Sequence, residues 1–376
     1  MTRTPPRDKE GVAMSTERER TPSPTISEVA EAAGVGRATV ARTLGGYGSV
    51  SPKTRDRILA VAKELGYRPN SIARSMTTGE TRTLGLVLAD VGNPFFAGVL
   101  RGFSDAARTA GYDVIVLSTD ENLQLEEAAI EVLVDKQVDG IALAPAAGRT
   151  DPLPHLDIVA KREIPLVLLD RLVDTVDADA VVINNREASR EAVASLIDQG
   201  HRRIGFVWGP VTTEPAADAD DLRRIIDNAL WSDGERLLGY LDALERAGIP
   251  FDTSLVTHVL KNEPQATRAV LGMLSLSDPP TAIFATETDA LTGSLRALQQ
   301  RALRCPEDVS LIGFDDSSWA SVMTPPMSVV AQPMHQLGAL TAECLLARVG
   351  GSEAPTATHV LEADFVARES VAPPAS

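Results

Sequence analysis

From Leu84 onward, short apolar runs of strand length alternate with longer amphipathic stretches of helical period. No other feature restricts the possible folds as tightly. The strand candidates are residues 84–89, 114–118, 140–144, 166–169, 181–183, 204–208, 255–259, 282–285 and 309–313. Between them lie helix candidates at 95–110, 123–136, 186–199, 235–247, 263–274, 289–301 and 334–349. A parallel strand pair needs a crossover long enough to hold a helix, so this alternation predicts α/β architecture: parallel sheets with helices on both faces. Such sheets bind ligands outside the carboxyl ends of their strands. The polar residues at those ends are Asp90, Asp120, Asp170, Arg171, Asn184, Glu287, Asp315 and Asp316.

The segment before this domain reads as all-α. Thr25-Ile26-Ser27-Glu28 has the spacing of a capping box, in which Thr25 and Glu28 satisfy each other's backbone N–H. Ile26, Val29, Ala30 and Ala33 then mark one buried helix face, and Gly34 supplies the stop. A second short helix follows over 37–44, with Val40 and Leu44 inward and Arg37, Ala38, Ala41 and Arg42 outward. Two short helices joined by a tight glycine turn form a helix-turn-helix, whose second helix enters the DNA major groove. A third helix opens at Ser51-Pro52, buries Ile58, Val61, Ala62 and Leu65, and ends at Gly66. Asn70 caps a last stretch over 71–77, which is too short to hold together alone in water.

The net charge of −16 looks wrong for a nucleic-acid binder until it is divided along the chain. Residues 25–82 carry nine Lys/Arg against five Asp/Glu, residues 1–24 add +1, and everything after Arg82 carries −21. A small basic module is attached to an acidic body that would repel phosphates everywhere except at the basic end. Acidity of the body alone is also what solubility favours. Residues 1–24 are polar and rich in Pro, Arg, Thr and Glu, a composition expected to stay disordered. Initiation at Met14 instead of Met1 stays open.

Other classes fit less well. The longest apolar runs, such as Ala180-Val181-Val182-Ile183, are too short to cross a bilayer, and the first residues hold no apolar core of a secretory signal. The two cysteines, Cys305 and Cys344, have neither metal-ligand spacing nor a disulfide framework, so a cytoplasmic location is the simplest expectation. No phosphate-binding loop, dinucleotide fingerprint, serine nucleophile elbow or His/Cys metal cluster occurs, and neither cofactor nor metal is expected. His201, in Gly200-His201-Arg202-Arg203 at a helix end, reads as structural.

The motifs together resemble the lactose/galactose repressor (LacI/GalR) family of bacterial transcriptional regulators. The resemblance rests on Thr25 to Ala30, Ala33-Gly34-Val35, Ala38 to Arg42, Val50 to Arg55, Leu65 to Asn70 and Ala73 to Met76. In the larger domain it rests on Asn93-Pro94-Phe95-Phe96-Ala97, Leu169-Asp170-Arg171, Pro280 to Phe284, Pro306 to Asp316 and Thr324-Pro325-Pro326. It implies a two-lobed domain of the periplasmic-binding-protein type, with a small-molecule effector (a sugar or related polar metabolite) between the lobes. The chain should cross between lobes near Asn184, Asp316 and Arg348. By the same resemblance Thr25, Ser27, Arg37, Ala38, Thr39, Arg42 and Tyr67 would contact DNA. Asn70 and Ala73 would lie in the minor groove, and Met76 would wedge between central base pairs. Asp90, Phe95, Asp170, Arg171, Asn184, Arg236, Lys261, Glu287, Asp315 and Gln332 would line the effector site. Departures from the family pattern include Gly36 for a serine cap, Gly45-Gly46 for an asparagine, Glu287-Thr288 for Asn-Asp, and an insertion over 211–233 with a helix-like part at 222–231.

The expected layout is a tail at 1–24, a helix-turn-helix domain at 25–69, a hinge helix and linker at 70–82, and an effector-binding and dimerisation domain at 83–372. Its first lobe would comprise 83–183 and 316–347, its second 184–315 and 348–372. The expected function is an effector-controlled repressor, a homodimer on a near-palindromic operator, with no catalytic role. The competing reading is a solute-binding protein of the same fold without a regulatory role, which would need an export signal and no basic helix-turn-helix.

Overall fold

The computed structural model describes residues 24–45, 48–67, 79–208, 218–226, 229–258 and 262–375. Within this span the chain divides into two units at Thr81–Arg82.

The first unit has three described helices: α1 (Ile26–Ala32), α2 (Arg37–Gly45) and α3 (Pro52–Glu64). The expected capping box at α1 is present in both directions, with the Thr25 N–H donating to Glu28 Oε2 at 2.6 Å. Gly34 takes a φ of +62°, which lets the chain leave α1 and start α2 within a few residues. Val29, Ala30, Ala33, Val40, Ile58 and Ala62 form a small buried core, with Leu44, Val61 and Tyr67 packed against it. Leu65, expected inside, is exposed, because it is the C-cap residue where the chain turns away from the core face of α3.

The second unit contains two sheets. In the first lobe β1 (Thr83–Leu88), β2 (Asp113–Ser118), β3 (Gly140–Leu143), β4 (Leu166–Leu169), β5 (Asp179–Ile183) and β11 (Thr358–Leu361) lie in the order β11-β5-β4-β3-β1-β2. Every pairing in it is parallel. In the second lobe β6 (Ile204–Trp208), β7 (Val256–His258), β8 (Ala282–Ala285), β9 (Ser310–Phe314), β10 (Ser328–Ala331) and β12 (Asp364–Val366) follow the order β12-β10-β9-β8-β6-β7. Only the β10–β12 edge is antiparallel. The two sheets are wound alike, so β4 and β9 hold equivalent places. Leu86 and Leu88 pack on one face of the first sheet and Val87 on the other, as covered parallel strands require.

The covering helices are α4 (Pro94–Thr109), α5 (Leu123–Asp135) and α12 (Met334–Val349) on the first lobe. On the second they are α7 (Asn185–Asp198), α9 (Trp231–Arg246), α10 (Glu263–Met273) and α11 (Thr288–Gln300). The short α6 (Asp157–Lys161) and α8 (Ala219–Ile226) complete the set. α4 and α12 approach through reciprocal glycines. A Cβ at Gly102 would lie 1.9 Å from the His335 carbonyl, and one at Gly338 would lie 1.9 Å from that of Val99.

Two expected lobe boundaries are corrected. Residues 316–331 belong to the second lobe, because β10 pairs with β9, and the chain crosses to α12 only at Gln332-Pro333. The last crossing falls at Glu362-Ala363 and not near Arg348, because β11 adds to β5 of the first sheet. Hydrophobic period locates strands but not their neighbours, and these strands were too short to stand out. His201, read from the sequence as structural, is so. Its ring is buried between Thr281, Ser310 and the Ala372 carbonyl, and burial pushes its pKa below the ordinary histidine value.

Candidate functional site

The outer face of α2 presents Arg37, Ala38 and Arg42 to solvent. Arg42 lies back along the helix, its Nε donating to the Ala38 carbonyl at 3.2 Å. Thr25 and Ser27 at the start of α1 are exposed, Thr39 is half-buried, and Tyr67 packs on the helical core. Among the family-implied DNA contacts, Asn70, Ala73 and Met76 lie outside the described residues.

Between the lobes of the second unit is a cleft of about 930 Å³ at the carboxyl ends of both sheets. Each wall is built by strands delivering a polar residue as they end. From the first lobe come Asp90, Asp120, Glu121, Asp170 and Arg171; from the second, Glu287 and Asp315; and from the second crossing, Gln332. The start of α4 contributes Asn93, Phe95 and Phe96, with the two rings edge-to-face at 4.9 Å. The first turns of α9 contribute Ser232, Asp233 and Arg236.

Both arginines are buried and held in place. Arg171 forms a bidentate pair with Glu121 (2.6 Å for each arm), donates to the Pro145 carbonyl at 2.8 Å, and lies 3.3 Å from Asp170. Burial alone would weaken its proton, but the Glu121 and Asp170 carboxylates keep it firmly charged. Arg236 donates to Asn185 Oδ1 and to the Thr286 carbonyl, both at 2.8 Å, and stacks over the Phe314 ring at 3.8 Å. Asp315 accepts from Gln332 Nε2 at 2.6 Å. Burial pushes its carboxyl up to about 6, although Arg236 and Gln332 pull the other way, and Asp170 adds to the rise.

Of the ten residues expected here, eight line the cleft: Asp90, Phe95, Asp170, Arg171, Arg236, Glu287, Asp315 and Gln332. Asn184 does not. It sits at the first crossing, bonded to Glu362 and accepting from the Ala363 N–H at 2.8 Å, so it ties two crossings together. A strand-end position does not distinguish a hinge from a cleft wall. Lys261 lies outside the described residues. Asp316 faces away into a bidentate pair with Arg368. Sequence reasoning missed Asp233 and Glu121 altogether. Asp233 stands three residues before Arg236 and so shares its helix face, a signal that was available. Among the described residues no group of His, Cys, Asp and Glu is arranged to hold a metal, and no helix is long and apolar enough to cross a membrane.

A helix-turn-helix unit attached to a two-lobed domain with a polar cleft defines the class of ligand-controlled DNA-binding regulators. Comparison with known proteins identifies the family. Residues 25–70 match the model of bacterial regulatory proteins of the lacI family, and residues 193–371 match a periplasmic binding protein-like domain. The ribose operon repressor of Haemophilus influenzae is 31% identical over 347 residues, covering 92% of this chain and 98% of the relative. Among solved structures, the complex of the transcriptional regulator CelR with cellobiose is 32% identical, with a TM-score of 0.66, covering 92% of this chain and 99% of that one. The Lac repressor dimer bound to operator and the anti-inducer ONPF shares the fold, with a TM-score of 0.78 at 22% identity, covering 93% of this chain and 100% of that one. The chain belongs to the lacI family of bacterial regulatory proteins, whose members are transcriptional regulators and not enzymes.

Proposed function

We propose that the protein is a homodimeric repressor that binds a near-palindromic operator in the cytoplasm and changes its operator affinity when a sugar or related polar metabolite occupies the interlobe cleft. The observation that carries this is the buried set of Arg171, Arg236, Asp170, Asp315 and Gln332, which both lobes bring to one cleft. Buried polar groups facing a cavity need partners, and a hydroxylated ligand supplies donors and acceptors to both lobes at once. The relatives' names agree with this chemistry: one regulates a ribose operon and another binds cellobiose.

On the DNA side, Arg37 and Ala38 would read bases and Arg42 would make a further groove contact. An arginine fork pairs with guanine O6 and N7. Thr25, Ser27, Thr39 and Tyr67 would hold the unit on the phosphates, with Asn70, Ala73 and Met76 in the minor groove. A ligand that binds one lobe arrangement better shifts the population toward it, and operator affinity with it. The test is operator binding by fluorescence anisotropy, with and without a ligand found by thermal-shift screening of sugars and polar metabolites. The reading requires that ligand to change operator affinity, and that Asp315→Asn abolish the change while leaving operator binding intact. A ligand with no effect on operator affinity would refute it.

A further inference from the structure

Glu126, on α5, is completely buried and lies outside the cleft. Both of its oxygens are engaged. Oε2 accepts from the Ala146 N–H at 2.6 Å, and Oε1 meets His155 Nε2 at 2.8 Å. The His155 ring is itself almost buried and stands on the short helical turn Pro154–Leu156. Taking such a group out of water costs free energy that an apolar side chain of the same size would not cost. What it supplies in return is a fixed place for one peptide group.

Ala146 belongs to the loop that follows β3, and the polar groups of this loop are tied in several directions. The Pro145 carbonyl accepts from Arg171 Nη1 at 2.8 Å. The Gly148 N–H donates to Asp151 Oδ2 at 2.8 Å. The Arg149 carbonyl accepts from the Asp174 N–H at 2.8 Å, and its side chain pairs with the Asp174 carboxylate at 3.0 Å. The Arg149 N–H instead crosses to the second lobe, where it donates to the Ala229 carbonyl at 3.0 Å. Ala146 and Gly148 line the cleft on one side of this contact, Ala229 and Leu230 on the other. Ala229 is buried in the same core as Leu222 and Leu237, so the acceptor is held as firmly as the donor.

We infer that Glu126 is a positioning residue of the cleft. By holding the Ala146 N–H it sets the path of residues 145–149, and with it both the seat of Arg171 and the hydrogen bond through which the lobes meet. In naming what sets the lobe arrangement, this rests on the effector reading above and deepens it. His155 orients the carboxylate so that its other oxygen faces Ala146. Glutamine can take the place of glutamate here, its carbonyl accepting from Ala146 while its amide donates to the other tautomer of His155. Leucine fills a similar volume but leaves the Ala146 N–H without its acceptor.

The experiment is hydrogen exchange of the full chain without ligand, read by mass spectrometry, for Glu126→Leu, Glu126→Gln and His155→Ala. Glu126→Leu should speed exchange at least about tenfold in residues 144–151 and, across the cleft, in residues 229–236, while β3 and β8 stay protected. Glu126→Gln should keep the slow exchange of the unaltered chain in both segments. His155→Ala should give the Glu126→Leu pattern more weakly, and it carries the test if Glu126→Leu fails to fold. Faster exchange confined to 144–151, no change in either segment, or equal loss of protection in β3 and β8 overturns the inference and leaves the effector reading standing. A ligand without effect on operator affinity would strike the effector reading and leave this exchange pattern untouched.

Discussion

Asp170 and Asp315 occupy matching places in the two lobes, each the first residue past a central strand, and each has a positive φ, +67° and +74°. The left-handed conformation is uncommon outside glycine but tolerated by aspartate. It turns the chain sharply and sets each carboxylate on the cleft wall. The positions of these groups were legible as polar residues at strand ends; their depth and couplings were not, because burial depends on the opposite lobe. Asp315 carries a consequence for stability. Its folded pKa of about 6 stands above the ordinary 3.8, so the free protein gains from its proton at low pH. That gain is lost as pH rises through about 6. Asp315→Asn should therefore raise the melting temperature of the free protein at about pH 8, by an amount worth on the order of 1–3 kcal/mol, and much less at about pH 4, near the unfolded pKa. Melting curves at both values check this, and an equal shift at both would show that the carboxyl is not the cause. In the other unit, Arg37 stands exposed at the start of α2 with Ala38. Arg37→Ala should cost roughly 1–3 kcal/mol per half-site on operator and much less on random DNA. Equal losses on both would make it a phosphate contact.

At the scale of elements, the segments with a long unbroken period were the readable ones. α4, α5, α7, α10 and α11 fall within a residue or two of the ranges expected from the sequence. β10, β11 and β12 were not read at all. They are three or four residues long, and β11 alternates half-buried with exposed positions at the edge of its sheet. The insertion was half readable. Its expected helix at 222–231 is instead α8, and Trp231 to Asp233 are already the first turn of α9. α8 is no solvated appendage. Leu222, Ile226 and Ala229 are buried in the same core as Leu237, Tyr240 and Leu241. Gly234 permits this, since a Cβ there would lie 2.7 Å from Ile226. The Ala229 carbonyl also accepts from the Arg149 N–H of the first lobe at 3.0 Å, so the insertion connects the lobes at the edge of the cleft. Leu222→Ala should cost about 2–5 kcal/mol, the usual range for emptying a buried leucine site. If the insertion shapes the cleft, hydrogen exchange should rise at Ala229 and in the first turn of α9, and ligand affinity should fall. Unchanged affinity with the same loss of stability would confine α8 to a packing role.

For the whole molecule, the division of charge decides how it can meet DNA. The part beyond Arg82 carries −21 and residues 25–82 carry +4, so only the small unit can approach a phosphate backbone without repulsion. One such unit has few cations and a single recognition helix, too little for tight binding of a long site. Two copies related by a two-fold axis double both, and they require an operator with matching two-fold symmetry, its half-sites about one or more helical turns apart. Light scattering should therefore give twice the 40.0 kDa chain mass, free and on operator. Operator affinity should fall steeply with salt, with a log–log slope of about −0.9 for each phosphate neutralised, and the slope should halve on a DNA carrying a single half-site. The domain from residue 82 onward, tested alone, should show no DNA affinity at any salt. A tetramer in solution, or a full chain that binds one half-site as tightly as two, would break the link drawn here between charge, symmetry and operator.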